Sequence, residues 1–73
     1  MADVIFETRD KGWIYAVSSK GDGVWYAAQI AAPTGDIQTY WYQGEGKARS
    51  ALEDAKANGN QFPAEAEEQE IVH

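Results

Sequence analysis

The chain is poor in residues that could do chemistry, and their spacing defeats most of what they could do. Ser18, Ser19 and Ser50 carry hydroxyls, but a nucleophile needs a base beside it. The single histidine is His73, the last residue, and cysteine is absent. A structural zinc site, which draws on cysteine and histidine, has no ligand set to work with. Asp22 lies in KGDG without further carboxylates at calcium-loop spacing, so it reads as a turn residue. Glu53 and Asp54 are neighbours in a helical stretch and diverge by about 100°, which suits a solvated face better than a shared proton. Gly44-Glu45-Gly46-Lys47 looks like the end of a phosphate-binding loop. That loop also requires glycine five positions before its second glycine and Ser or Thr after the lysine. Trp41 and Ala48 occupy those places, so the match fails. The expectation is a protein with no catalytic residues, no cofactor and no metal.

What remains is the capacity to bind. Twelve acidic residues against six basic ones give a formal net charge of −6. Arg9, Lys11, Lys20, Lys47, Arg49 and Lys56 are scattered, whereas binding to a nucleic-acid backbone needs concentrated basic charge. The acidic balance points instead towards a protein partner with a basic surface or towards simple solubility. The candidate contact acids are Asp10, Asp22, Asp36, Glu45, Glu53 and Asp54, with Glu65, Glu67, Glu68 and Glu70 near the end. Trp13, Trp25, Tyr40, Trp41 and Tyr42 are the candidate anchors, because flat aromatic side chains are favoured at interface centres.

These residues must be positioned by short elements. The stretch from residue 37 to 58 organises the chain: an aromatic strand (IQTYWYQ), a glycine-flanked corner (GEG) and an alanine-faced helix (KARSALEDAKAN). In the strand, Ile37, Thr39 and Trp41 point one way, and Gln38, Tyr40 and Tyr42 the other. From Lys47 the apolar period changes from two to about 3.6. Ala48, Ala51, Leu52 and Ala55 form the stripe expected to be buried, and Asn58-Gly59 is the stop. Upstream, residues 4–8, 13–19 and 24–31 read as three further strands. Val4, Phe6 and Thr8 are expected on one face of the first. The connecting loops are too short for parallel crossovers, so the sheet should be an antiparallel meander. The expected fold is α+β: a four-stranded antiparallel β-meander followed by one α-helix packed on one face. Residues 1–62 form that single domain, and residues 63–73 an acidic tail.

A chain of 73 residues buries only about 60% of its unfolded surface, so stability should be modest. No apolar run is long enough to span a bilayer. Met1-Ala2-Asp3 lacks the basic and apolar regions of a secretion signal, so a cytoplasmic protein with no membrane contact is expected. One short helix covers one sheet face, which leaves aromatic side chains on the other.

The meander-plus-helix outline is shared by many small domains, antitoxin and double-stranded-RNA-binding types among them. In size, charge and lack of cysteine the chain resembles the small accessory proteins of bacteriophages. Some of these, including anti-CRISPR proteins, occupy a basic groove of a host nucleoprotein complex with carboxylates. The resemblance implies a small, acidic, non-enzymatic inhibitor of that kind. Two alternatives stand beside it. One is a homo-oligomeric assembly protein that buries an aromatic sheet face. The other is a single-stranded nucleic-acid binder that stacks bases on that face, which the net charge disfavours.

Overall fold

The computed structural model describes residues 3–62. Four strands, β1 (Asp3–Asp10), β2 (Trp13–Ser19), β3 (Trp25–Ala31) and β4 (Ile37–Gln43), precede one helix, α1 (Glu45–Ala57). The strands form one antiparallel sheet in the order β1-β2-β3-β4. The helix packs on one face of it. This is the α+β architecture that the sequence predicts.

The loops explain the meander. Lys11 and Gly12 both have positive φ, 53° and 89°. A two-residue turn of that kind matches the twist of the strands it joins. The hairpin is therefore tighter than the four-residue loop expected from Arg9 to Gly12, and β1 runs on to Asp10. Between β2 and β3, Asp22 Oδ1 accepts hydrogen bonds from the amides of Val24 at 2.9 Å and Trp25 at 3.0 Å. That closes an Asx-type turn. Between β3 and β4, the amide of Ala32 donates to Asp36 O at 2.8 Å and that of Gly35 to Ala32 O at 2.9 Å.

Cross-strand pairing sorts the side chains onto two faces. Phe6, Val17, Ala28 and Tyr40 form one row under the helix; Thr8, Tyr15, Ile30 and Gln38 form the next. β1 departs from simple alternation. Val4 pairs with Ser18 but Phe6 pairs with Val17, which leaves Ile5 as an extra residue. Such a bulge rotates the strand locally. Val4 therefore lies on the opposite face from Phe6 and Thr8, contrary to the alternation expected from sequence.

The helix begins at Glu45, two residues before the expected Lys47, so Gly46 sits in its first turn. Gly44 makes the corner with φ 101° and ψ 138°, a conformation that essentially only glycine adopts without strain. Ala48, Leu52 and Ala55 are buried, and Ala51 is half-buried at the margin of the stripe. Alanine lets the helix backbone approach the sheet, and Leu52, with Val17 and Ile30, fills the space between. Each of these three larger side chains contributes about 1.5–3 kcal/mol by burial. Arg49 pairs with Glu45 at 2.7 Å, one turn back, and not with Glu53; the Lys56 ammonium lies 3.9 Å from Glu53. Arg49 also lies over the Phe6 ring, 4.5 Å from its centroid.

The helix stops at Asn58, and Gly59 and Asn60 follow with φ 72° and 63°. The turn carries Phe62 back under the helix side of β4, where it is buried against Tyr40 with ring centroids 4.8 Å apart. Gln38 clamps this segment from the sheet. Its Nε2 donates to Asn60 O at 3.1 Å, and its Oε1 accepts from the Phe62 amide at 3.2 Å. The tail assigned to residues 63–73 lies outside the described residues. Among those described, no helix is long and apolar enough to cross a membrane.

Candidate aromatic interface

The face of the sheet away from α1 is covered by no other element among the described residues. It is built by alternation on β2, β3 and β4. Ser18, Ala27 and Trp41 form one row, Ala16, Gln29 and Thr39 the next, and Ile14, Ala31 and Ile37 the third. Trp25 lies opposite Gln43, which makes it the diagonal neighbour of Trp41, within reach of a large ring.

The burial pattern shows how this face is arranged. Ala27 is 2% exposed, Ser18 5% and Ala16 8%, although no helix or loop among the described residues lies above them. Trp25 and Trp41 are half-buried and are the large rings next to Ala27. The row of small side chains at Ser18 and Ala27 thus ends at Trp41, with Trp25 diagonal to it. Gln29 Nε2 donates to Thr39 Oγ1 at 3.1 Å across the middle of the face. The Lys20 ammonium stands 6.0 Å from the Trp41 ring centroid, at the limit of a cation–π contact. At the edges, Ile37 is 65% exposed and Val4 60%.

Acidic groups stand at the margins of this apolar surface. Asp22 lies in the turn leading into Trp25, Asp36 immediately precedes Ile37, and Glu7 pairs with Ala16 from β1. Glu7 also holds Arg9 at 3.0 Å. The Asp22 carboxyl titrates below the ordinary aspartate range. The amide of Trp25 is the largest cause and that of Val24 the next, since both donate to the ionised form.

The candidate residues named from sequence divide into groups. Trp25 and Trp41 share the open face. Tyr42 is buried on the helix side, and Tyr40 and Trp13 are half-buried there and packed against the core. Asp10 and Asp36 are exposed at one end of the sheet; Asp22 and Glu45 stand at the other. Glu53 and Asp54 are exposed on α1, across the sheet from the two tryptophans. Glu65, Glu67, Glu68 and Glu70 lie outside the described residues. Val4 and the small residues Ala16, Ser18 and Ala27 were not legible as part of the surface. The bulge conceals the first, and nothing in a run of small residues says that they will be buried on this face.

Among the described residues, no group of three or more His, Asp or Glu side chains could hold a metal ion. No family model matches the chain, and no curated protein or solved structure gives a significant match.

Proposed function

We propose that this protein is a non-enzymatic binding module whose open sheet face docks on a basic protein surface. The observation that carries the reading is the sheet face left uncovered by the described residues: Trp25 and Trp41 together at one end of it, with Asp22, Asp36 and Glu7 at its margins. Large aromatic side chains on a surface with charged margins are favoured at protein–protein interfaces. A net charge of −6 speeds encounter with a positive partner and disfavours a negative one. Basic protein surfaces of this kind include those that hold nucleic acid. The target class is then a nucleic-acid-binding protein complex, with this chain as an inhibitor of the phage accessory type. In this reading Trp25 and Trp41 are the anchors, while Glu53 and Asp54 on the far side add only to the long-range field.

The test is affinity capture from host extract with the tagged chain. The substitutions Trp41→Ser and Ile37→Lys on the open face are compared with Glu53→Gln and Asp54→Asn on the helix, each checked for folding by circular dichroism. Capture should weaken with rising salt, be lost in the open-face variant and persist in the helix variant. Capture that is indifferent to both salt and the open-face substitutions refutes the reading.

A further inference from the structure

The two edges of the sheet differ in a way that the docking face does not explain. β1 is guarded. It carries Asp3, Glu7, Arg9 and Asp10, and it is bulged between Val4 and Phe6. Charges and bulges are the usual means of preventing an edge strand from pairing with another chain. β4, IQTYWYQ, has no charge, no proline and no bulge, and its register with β3 is regular from Ile37 to Gln43.

The backbone of β4 is also correctly presented. The ladder to β3 is bracketed by Ala32 N donating to Asp36 O and Gly44 N donating to Val24 O. Strict alternation between these bonds turns the amides and carbonyls of Gln38, Tyr40 and Tyr42 towards β3. It turns those of Ile37, Thr39, Trp41 and Gln43 outward. Among the described residues nothing bonds to these outward groups. The segment at residues 60–62 reaches β4 through the Gln38 side chain and leaves the edge backbone open.

We infer that β4 is a homodimerisation edge, pairing antiparallel with β4 of a second copy. An uncharged strand offers a basic partner strand nothing to recognise, whereas it suits another uncharged strand, and the chain's own β4 is one. A two-fold axis at Tyr40 sets Thr39 opposite the second copy's Trp41, and Ile37 opposite its Gln43. All of these have outward backbone groups, so the hydrogen-bond pattern closes. The same operation keeps both helices on one side of a continuous sheet and joins the two tryptophan faces into one. Growth stops there, because the remaining edges are the charged, bulged β1 strands. The contact is therefore isologous and closed, not fibrous.

Sedimentation and amide hydrogen exchange on the full chain across a concentration series test this. A monomer–dimer equilibrium is expected, with Thr39 and Trp41 amides gaining about tenfold protection or more as the dimer forms. Gln38, Tyr40 and Tyr42 should be protected at every concentration. Thr39→Lys, which puts a charge on the edge, should weaken the dimer while leaving those inner amides protected. A chain that stays monomeric up to millimolar concentration overturns the inference. So does protection of Thr39 and Trp41 that is independent of concentration, which would mean that the chain's own residues 63–73 cover the edge. A dimer in which these two amides still exchange fast overturns it as well, in favour of stacking through the open face.

Discussion

The hydroxyl of Tyr15, on β2, donates a 2.7 Å hydrogen bond to Asn60 Oδ1, 45 residues further along the chain. This bond ties the middle of the sheet to the turn that ends the helix. Tyr15 is itself buried, and the Lys56 ammonium lies 4.8 Å from its ring centroid. Asn60 holds a positive φ, and asparagine is one of the few side chains that tolerate it. The same residue thus serves the turn and the bond. Tyr15→Phe keeps the ring and removes the bond. It should cost about 1 kcal/mol, which in a chain of this size lowers the melting temperature by roughly 4–8 °C. Thermal unfolding followed by circular dichroism measures it, and an unchanged midpoint would mean that the bond contributes nothing.

Gly44 and Gly46 should respond in opposite directions to the same substitution. A Cβ at either position meets none of the described residues within 4 Å, so neither change creates a clash with them. Gly44 has φ 101°, and Gly44→Ala should destabilise by roughly 1–3 kcal/mol through backbone strain alone. Gly46 lies in the first helical turn, and Gly46→Ala should stabilise by about 0.4–1 kcal/mol by restricting the unfolded chain. Urea unfolding midpoints of the two variants give the signs directly.

Ala48 and Ala55, both fully buried, set how closely the helix lies on the sheet. Ala48→Leu should force the two apart at a cost of about 1–3 kcal/mol. Leu52→Ala should cost about 2–5 kcal/mol, because it leaves a cavity under the helix. Ala57→Leu, on the exposed surface, is the control and should be nearly neutral. Equal stability of Ala48→Leu and the control would show that the helix has slack against the sheet.

The β2–β3 turn should be sensitive to acid. Two backbone amides lower the Asp22 pKa in the folded state, so the unfolded chain binds the proton first. The stabilisation is complete above the ordinary aspartate pKa and is lost as pH falls through the lower, folded value. The Val24 and Trp25 amide shifts should titrate together, with a midpoint below that of an unperturbed aspartate. Asp22→Asn, which keeps an acceptor, should abolish this titration without opening the turn.

Much of this fold was legible because local signals and global packing agree. Asp22-Gly23, Gly12 and Gly35 punctuate the strands, and the alanine stripe identifies the buried side of the helix. Alternation alone places Ile37, Thr39 and Trp41 on one face, and they share it. The helix start was less legible, because Gly46 carries a propensity penalty that the Gly44 corner overrides. The β1 alternation failed at Ile5, since a bulge is fixed by the neighbouring strand and not by the residues that form it. The aromatic residues could not be sorted in advance. Tyr42 and Trp41 are adjacent and similar in type, yet one packs beneath the helix and the other lies on the open face. Only the side chosen by the helix decides between them.

The most direct test of the docking face is photo-crosslinking within the captured complex. A benzophenone side chain is placed either at Ile37, on the open face, or at Glu53, on the exposed side of the helix. The account predicts a crosslinked product with a different protein from position 37 and none from position 53. Crosslinking to that protein from position 53 alone would contradict it.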